Sequence, residues 1–279
     1  MFKIVKKRKL NGNTVLLRIT APGIARNVQP GQFIILRIDE KGERIPLTIS
    51  GYNPSDGTIE VIVQTIGYTT MQLGSLEEGD VILDVIGPLG NPTELEGYRK
   101  VAVVGGGVGC AIAYPQAKFL FESGTDVTII AGFRTKELVI LEDEMRAASN
   151  QLYITTDDGS YMEKGFVTTR LKTLIDEGNN YDLVLAIGPV VMMRAVASVT
   201  KEYDIKTIVS LNPIMIDGTG MCGGCRVIVD GKMKFACVDG PDFDAHKVDF
   251  AVLMRRNATY AAQEAKDFEH ACRLYGEVK

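Results

Sequence analysis

Three cysteines and an aspartate lie close together in a glycine-rich segment of the chain. Asp217, Cys222, Cys225 and Cys237 follow the spacing D-x4-C-x2-C-x11-C. Thiolates are soft ligands that bind iron–sulfur clusters or zinc. Plant-type [2Fe–2S] sites use C-x4-C-x2-C with a distant fourth cysteine, and this segment has that spacing with an aspartate in the first position. Because iron also accepts oxygen donors, the pattern predicts a [2Fe–2S] cluster held by these four residues.

The glycines of this segment support the iron–sulfur interpretation, although zinc stays open. They let the backbone wrap closely and point amides at sulfur, and they stand at positions 218, 220, 223 and 224. A CxxC pair with one further cysteine also suits structural zinc, with Asp217 or His246 as the fourth ligand. A thioredoxin-like pair is not favoured, because this CxxC does not follow a βαβ opening. We expect Cys110 and Cys272 to be packing residues, with ligand contact as the alternative for Cys110.

The overall composition is that of a globular protein of two or three domains. The chain has 279 residues, 46% hydrophobic and 24% charged, with a formal net charge of −4 and a pI near 5.4. This acidic balance argues against a nucleic-acid binder. The longest apolar run, 183–193, is too short to span a membrane, and no apolar signal region follows the basic N-terminus. Five cysteines, three of them crowded together, do not suit a secreted disulfide framework, so we expect a cytoplasmic protein.

Residues 1–97 alternate short apolar runs with turn residues, which predicts a small antiparallel β-barrel domain. The runs richest in β-branched residues lie at 15–19, 32–38, 58–64 and 80–85. One helix is predicted over 68–76. A helix N-terminus that carries the hydroxyls of Thr69 and Thr70 suits a diphosphate, and an ordinary capped helix is the alternative.

Residues 98–211 alternate apolar strands with helical stretches, which predicts a parallel, Rossmann-like α/β domain. Strands are predicted at 100–104, 126–132, 152–156, 181–187 and 207–211, and helices from the first glycine turn to 123 and at 137–149, 165–177 and 189–203. The first strand ends in a turn whose glycines let a dinucleotide approach the backbone, namely Gly105, Gly106, Gly107 and Gly109. The turn is not a full G-x-G-x-x-G motif, so a purely structural turn is the alternative.

Two further strand ends of this domain carry residues suited to a dinucleotide. Gly188 and Pro189 follow one strand, and ligands of α/β sheets bind at such ends. Asp157 and Asp158 follow another, where a carboxylate can accept hydrogen bonds from ribose hydroxyls. The third region, 212–279, contains the cysteine-rich loops and a polar tail that is predicted to be helical over 245–275.

A barrel, an α/β domain that opens with GGGVG and a cysteine-rich loop, in this order, resemble the ferredoxin–NADP reductase superfamily. The chain is most similar to its iron–sulfur branch, which holds the dihydroorotate dehydrogenase electron-transfer subunits and the small subunits of NADH-dependent reduced ferredoxin:NADP oxidoreductases. The resemblance covers nearly the whole chain and is carried by ERIPLTI (43–49), GPLG (87–90), VVGGGVG (103–109), TDDGS (156–160), IGPVVMM (187–193), NPIMIDGTGMCGGCR (212–226) and KFACVDGPDFDAH (234–246).

The resemblance implies where FAD and NAD(H) bind. The isoalloxazine would lie along Pro46, Leu47 and Thr48, and the diphosphate of FAD would be held by Arg44, Gly67, Thr69 and Thr70. The α/β domain would bind NAD(H) through the two glycine turns and the acidic pair described above. The superfamily motif R-x-Y-[ST] is altered here, because Ile45 stands at the arginine position and Leu47 replaces the aromatic residue.

The resemblance also implies the activity and the partners. Hydride would pass between NAD(H) and FAD, and single electrons between FAD and the cluster, with no obligatory acid–base residue. The acceptor would lie in a larger subunit of the glutamate-synthase-like type with its own FAD and [4Fe–4S] clusters, which reaches ferredoxin in an electron-bifurcating complex. Asp217 favours this branch, since the dihydroorotate branch carries cysteine there. The alternatives are an electron-transfer subunit of dihydroorotate dehydrogenase and a zinc-stabilised nucleotide-binding protein without redox activity.

Overall fold

The computed structural model describes residues 2–275, which form two seven-stranded sheets, a hairpin and flanking helices. Numbered along the chain, the strands are β1 (Phe2–Asn11), β2 (Thr14–Thr20), β3 (Phe33–Arg37), β4 (Ile45–Asn53), β5 (Thr58–Gln64), β6 (Val81–Ile82), β7 (Asp84–Leu89), β8 (Lys100–Gly106), β9 (Asp126–Phe133), β10 (Gln151–Thr156), β11 (Glu163–Lys164), β12 (Leu183–Ile187), β13 (Thr207–Ser210), β14 (Arg226–Val229), β15 (Lys232–Phe235) and β16 (Asp242–Asp244). The α-helices are α1 (Pro22–Ala25), α2 (Tyr68–Ser75), α3 (Gly109–Glu122), α4 (Glu142–Ala147), α5 (Val167–Asp176), α6 (Val190–Glu202), α7 (Ala236–Asp239), α8 (Phe250–Asn257) and α9 (Ala261–Tyr275).

The first sheet is antiparallel, with the strand order β6-β1-β2-β5-β4-β3-β7. Its edge strands β6 and β7 are separated in sequence only by Leu83, so one continuous segment borders both edges. The Leu83 amide donates a hydrogen bond to the Ile38 carbonyl oxygen at 3.1 Å. The sheet thereby curls into a nearly closed barrel around buried aliphatic residues such as Leu17, Ile34 and Ile59. The predicted antiparallel barrel is confirmed.

The second sheet has the order β11-β10-β9-β8-β12-β13-β16 and is parallel except for β16. Chain order runs outward from β8 on one side and from β12 on the other, so the topological switch point lies between these two strands. Every residue of β12 is buried, as expected for a strand with helices on both faces of its sheet. The predicted Rossmann-like domain is confirmed.

The segment that follows residue 211 is less separate than its composition suggests. Strand β16 pairs with β13, with Phe243 opposite Val209, so the predicted third region adds an edge strand to the second sheet. Strands β14 and β15 form a hairpin. The tail predicted to be helical over 245–275 divides into a 3-10 turn (Ala245–Lys247), α8 and α9. No helix within residues 2–275 is long and apolar enough to span a bilayer.

Two parts of the chain differ from the sequence predictions. No strand is predicted over Phe2–Asn11, where five of the ten side chains are basic, yet this segment forms β1 through its pairing with β2, with only Ile4 buried. The helix predicted over 137–149 is interrupted. A 3-10 turn comes first, and Leu141, with a φ of 56°, precedes α4 in the left-handed region.

Candidate functional site

The first glycine turn lies at the switch point of the second sheet. Strand β8 leads into it and α3 begins at Gly109, while β12 ends at Ile187 beside Gly105. A Cβ atom on Gly109 would lie 2.4 Å from the carbonyl oxygen of Ile187. A Cβ atom on Gly188 would lie 3.1 Å from the backbone of Gly106. The two predicted turns therefore pack backbone against backbone, which only glycine permits at these distances.

A cavity of about 670 Å³ opens in front of these turns, between the second sheet and the barrel. Helices α3, α5 and α6 present their N-terminal ends to it, and their N-cap residues Val108, Phe166 and Pro189 provide no side-chain cap. The free N–H groups and partial positive charges of three helices favour an anion. The cavity therefore suits the diphosphate of a dinucleotide.

The predicted acidic pair separates in the structure. Asp157 lines the cavity. The Asp158 carboxylate instead accepts hydrogen bonds from the Ser160 hydroxyl at 2.7 Å and from its backbone N–H at 2.9 Å. These two bonds, the hydroxyl first, lower the pKa of Asp158. Asp157 thus faces a ligand site, whereas Asp158 closes its own loop.

Among the cavity residues that the sequence did not predict, three have side chains suited to contact a ligand. Thr155 is 1% exposed, and its hydroxyl has no hydrogen-bond partner among residues 2–275. Arg134 follows the end of β9, and Phe166, which is 64% exposed, stands at the start of α5. Thr155 and Arg134 lie at the carboxyl ends of strands, the same position that drew attention to Asp157, so the strand-end rule could have found them.

Strand β4 contains most of the residues predicted along the flavin. Arg44, just before the strand, and Pro46 are exposed, and Thr48 is half-buried opposite Phe33 of β3. Leu47 is half-buried and packs against the barrel core. Because side chains alternate along a strand, Pro46 and Thr48 share one face and Leu47 lies on the other. A ligand on the outer face of β4 would reach Pro46 and Thr48 rather than Leu47.

Helix α2 uses its two predicted hydroxyls in different ways. Gly67 is the N-cap, and the Thr70 hydroxyl oxygen accepts a hydrogen bond from the Gly67 amide at 2.9 Å. The buried Thr69 hydroxyl donates to the Glu43 carboxylate at 2.7 Å. The alternative of a capped helix with Thr69 or Thr70 as the N-cap is therefore wrong in the N-cap residue, because Gly67 is the N-cap and Thr70 caps its amide from the third helical position. The Thr69 hydroxyl, which is predicted to bind the FAD diphosphate, is hydrogen-bonded to the Glu43 carboxylate in this structure.

The cysteine loop brings Asp217 and Cys222 together. One carboxylate oxygen of Asp217 accepts from the Thr219 amide at 2.8 Å, and the other accepts from the Cys222 amide at 2.7 Å. These bonds, the Thr219 amide first, lower the pKa of Asp217, and the Cys222 thiol contributes to the same effect. The Gly224 amide points at the Cys222 sulfur at 3.4 Å, as predicted for the glycines of this loop.

The other two cysteines lie beneath the loop. Cys225 and Cys237 are 1% and 2% exposed, and their sulfur atoms are 3.2 Å apart. Burial, followed by the neighbouring Cys225, raises the pKa of Cys237 to about 12. The Cys237 side chain therefore packs as a neutral thiol.

The four predicted ligands share one loop system, but they do not form a closed site. Within the described residues, no three His, Cys, Asp or Glu side chains already surround a metal position. The Asp217 carboxylate is occupied by backbone amides, and Cys222 is exposed while Cys225 and Cys237 are buried. The donor set of three thiols and one carboxylate fits an iron–sulfur cluster, and His246 is engaged elsewhere, 3.0 Å from the Thr200 hydroxyl.

The cysteine loop rests directly on the barrel. Gly218, with a φ of 77°, lies so close that a Cβ atom there would approach Leu89 to 2.7 Å and Ile35 to 2.9 Å. Ile35 pairs with Pro46 across β3 and β4. The predicted cluster loop therefore contacts β3, and β3 pairs directly with β4, the strand that is predicted to lie along the flavin.

The remaining cysteines do not join this group. Cys110 is 1% exposed, and burial raises the pKa of its thiol to about 12. A Cβ atom on Gly105 would lie 2.7 Å from the Cys110 sulfur, so this thiol packs against the glycine turn. Cys272 is half-buried in α9. Both positions agree with packing roles.

A family model matches the cysteine-rich segment. Residues 212–249 match the iron–sulfur cluster binding domain of dihydroorotate dehydrogenase B. The matched range contains Asp217 and the three cysteines of the loop. The iron–sulfur prediction is thereby confirmed, and the zinc alternative loses support.

Relatives extend the match to nearly the whole chain. An uncharacterized protein of Clostridium beijerinckii is 49% identical over 274 residues, covering 95% of this chain and 93% of the relative. A dihydroorotate dehydrogenase B (NAD(+)) electron transfer subunit homolog of Thermotoga maritima is 46% identical over 275 residues, with coverages of 99% and 97%. A chain of the NADH-dependent reduced ferredoxin-NADP oxidoreductase structure is 44% identical, with a TM-score of 0.92 and 97% coverage of both chains.

These relationships agree with the geometry of the site. The iron–sulfur domain lies at the C-terminal side of a reductase fold, and the Thermotoga maritima relative and the solved neighbour both span all three regions. The predicted oxidoreductase class and the electron-transfer role are confirmed. The chain belongs to the family of dihydroorotate dehydrogenase B-type electron transfer subunits, within the iron–sulfur branch of the ferredoxin–NADP reductase superfamily.

Proposed function

We propose that this chain exchanges electrons between NAD(H), FAD and a [2Fe–2S] cluster inside a larger oxidoreductase complex. The observation that carries the proposal is the end-to-end likeness to a chain of the NADH-dependent reduced ferredoxin-NADP oxidoreductase, a structure solved to explain flavin-based electron bifurcation. Asp217 at the first ligand position supports the same branch. A bound flavin would supply the conversion between the two-electron chemistry of nicotinamide and the one-electron chemistry of a cluster.

In this proposal the barrel holds FAD. Pro46 and Thr48 present one face of β4 to the isoalloxazine, and Leu47 supports that strand from the core side. The α2 N-terminus at Gly67, with Thr69 and Thr70, holds the diphosphate, and Arg44 neutralises part of its charge. The Thr69–Glu43 hydrogen bond must then be exchanged for one to the diphosphate.

The cavity at the switch point holds NAD(H). Its diphosphate lies over the turn formed by Gly105, Gly106, Gly107 and Gly109, with Gly188 and Pro189 on the neighbouring strand end. Asp157 accepts hydrogen bonds from a ribose, and Asp158 holds the loop that presents Asp157. The negative charge of this pair would repel a 2′-phosphate, which favours NAD over NADP.

The cluster is held by Asp217, Cys222, Cys225 and Cys237. Support comes from their shared loop, from the family model and from the amide that Gly224 directs at a ligand sulfur. Iron binding would deprotonate the buried thiols, because metal ligation requires the thiolate form. The Asp217 carboxylate would exchange backbone hydrogen bonds for iron.

The acceptor is proposed to lie in a larger subunit of the glutamate-synthase-like type, with FAD and [4Fe–4S] clusters of its own. Membership in a family of electron transfer subunits supports a catalytic partner. Through that partner the chain would serve a bifurcating complex of NAD(H), NADP(H) and ferredoxin. The five cysteines, all free in the structure, support a reducing, cytoplasmic location.

A second candidate is the electron-transfer subunit of a dihydroorotate dehydrogenase. The family model of the cluster domain and the name of the Thermotoga maritima relative favour it. The two candidates differ in the partner. The chain purified with its partner from its own host should bring down a subunit with [4Fe–4S] clusters in the first case and a dihydroorotate-oxidising subunit in the second.

The decisive experiment on the chain itself is a visible spectrum with iron and sulfide analysis. Flavin bands and broad cluster absorption, bleached by NADH, are expected. A colourless protein, or one that contains zinc without sulfide, would refute the proposal. A chain that runs alone in native gels of its host extract and retains full ferredoxin-linked activity would refute the partner.

A further inference from the structure

Helix α8 reaches back to the cysteine loop from outside the segment matched by the family model. The match to the family model ends at residue 249, and α8 begins at Phe250. The Arg256 guanidinium donates a hydrogen bond to the Gly224 carbonyl oxygen at 3.0 Å, between two of the proposed ligands. The neighbouring Asn257 amide donates to the Asn212 carbonyl oxygen at 3.2 Å. Two side chains of α8 thus fasten the two ends of the loop.

The charge of Arg256 has no counter-ion in the described part of the chain. Its Nε atom is buried without a hydrogen-bond partner, and no carboxylate among residues 2–275 lies within ion-pair distance of it. Arg18 on the barrel surface, by contrast, is paired with Glu60. Holding a partly buried cation without a partner is unfavourable. An anion that binds at the loop would remove this cost.

The helix dipole explains only part of this arrangement. Arg255 and Arg256 both lie in the last turn of α8, where a basic side chain favours the partial negative charge of the helix end. Arg255 is exposed, whereas Arg256 is half-buried and bonded to the loop. The dipole therefore accounts for basic residues at this position but not for the contact with Gly224.

We propose that Arg256 is a positioning residue that raises the reduction potential of the [2Fe–2S] cluster. The inference rests on the cluster proposed above. A cluster with four anionic ligands gains one further negative charge when it accepts one electron, and no bond forms or breaks. A cation fixed at the ligand loop stabilises the reduced form more than the oxidised form.

Arg226 provides a graded comparison at the same loop. One of its guanidinium nitrogens lies 4.0 Å from the Cβ position of Gly223. Arg226 is exposed, so water and salt screen its charge more strongly. It should shift the potential in the same direction as Arg256, but by less.

The test is a redox titration of the full chain with its cluster, followed by the EPR signal of the reduced cluster. R256Q should favour oxidation about tenfold, which is a fall of about 59 mV for a one-electron couple. R256K keeps the charge and should keep most of the potential. R226Q should show a smaller fall. R255Q and N257A, which remove an exposed charge and an uncharged loop contact, should leave the potential unchanged.

The outcomes separate this inference from the proposed function. A wild-type chain without a cluster would refute the function and with it the basis of the inference. Clusters of equal potential in wild type and R256Q would overturn the role of Arg256 alone, as would N257A lowering the potential as much as R256Q. If R256Q holds no cluster, R256K and R226Q decide, and an unchanged potential in R226Q then overturns the inference.

Discussion

The cavity at the switch point and the cysteine loop differ in how far each is built before its ligand arrives. The cavity is built largely on backbone, since two glycine turns in contact and three helix N-termini form it. The loop is made of side chains that still bond to the protein, as Asp217 does to two amides. A backbone site is complete once the sheet has folded, whereas a thiol site needs its metal to become complete.

The protonation of Cys237 explains why the cysteine loop needs its metal. Burial raises the pKa of Cys237 to about 12, so its thiol keeps its proton at neutral pH. Metal binding has to displace that proton, which couples cluster assembly to pH and to the order of the loop. Removing iron should therefore disturb the loop and leave the cavity intact.

The largest expected effect is the loss of the cluster. Cys225→Ser removes a buried ligand, and iron content should fall from the two atoms of a [2Fe–2S] cluster to near zero. Bleaching of the flavin by NADH should remain, because none of the four proposed cluster ligands lines the cavity. Iron analysis and stopped-flow spectra test this pair of results. Cys272→Ser is the control, and loss of NADH-dependent bleaching in Cys225→Ser would contradict the independence of the two regions.

Gly109→Ala should have the opposite result, because it should impair the cavity and leave the cluster in place. Its Cβ atom would lie 2.4 Å from the Ile187 carbonyl oxygen, so the two turns must move apart. Stability should fall by about 1–3 kcal/mol. The rate of flavin reduction by NADH should fall about 100-fold, because misplacement by about 1 Å has such effects.

The control for Gly109→Ala is Gly23→Ala, where no atom lies within 4 Å of the added Cβ. That substitution should change neither the urea midpoint nor the rate of reduction. Iron content should stay normal in both variants. Normal kinetics in Gly109→Ala would mean that the cavity is not the dinucleotide site.

A smaller effect is expected from Asp217→Cys. The cluster should persist, because cysteine completes the plant-type ligand spacing. A thiolate donates more electron density than a carboxylate, so the midpoint potential should fall, by on the order of 100 mV. EPR-monitored titration measures the fall. An unchanged potential would show that Asp217 is not a ligand, and the NADH reaction serves as the internal control.

The features that were predicted correctly are those that a contiguous stretch of sequence can encode. The glycine turn, the buried strand β12 and the cysteine spacing are contiguous signals, and the fold confirmed the barrel and the sheet that contain them. The basic strand β1 was not predicted, because it has no alternating apolar face and only Ile4 is buried along it. Strand β16 was not predicted either. It has only three residues, with Asp242 and Asp244 at its ends, so it contains no apolar run, and it joins the sheet through backbone hydrogen bonds.

The parts of the site that the sequence did not predict depend on contacts between distant segments. Arg256 reaches the loop because α8 packs against the β14–β15 hairpin, and no spacing rule relates it to the cysteines. Thr69 meets Glu43 only after α2 packs against β5. Such pairings follow from the tertiary fold and not from periodicity.

The smallest expected effect concerns the residue that ties the cluster region to the rest of the molecule. Asp242 of β16 accepts a hydrogen bond from the Thr93 hydroxyl at 2.5 Å, and its other oxygen is buried. Burial is the largest influence and raises the pKa of Asp242 to about 6. The carboxyl group therefore keeps its proton in the folded state at a pH where the unfolded chain has released it.

The sign of the pH dependence follows. Between about pH 4 and pH 6 the folded state binds more protons, so stability should fall as pH rises through this range and level off above it. The fall should be about 1–3 kcal/mol. Asp242→Asn should remove this fall in stability. Compared with the wild-type chain, the variant should therefore gain more stability at pH 7 than at pH 4.5, as measured by urea unfolding. Asp244→Asn on the same strand is the control. Because β16 joins the cluster region to the second sheet, a pH slope that Asp242→Asn leaves unchanged would mean that this junction carries no buried charge.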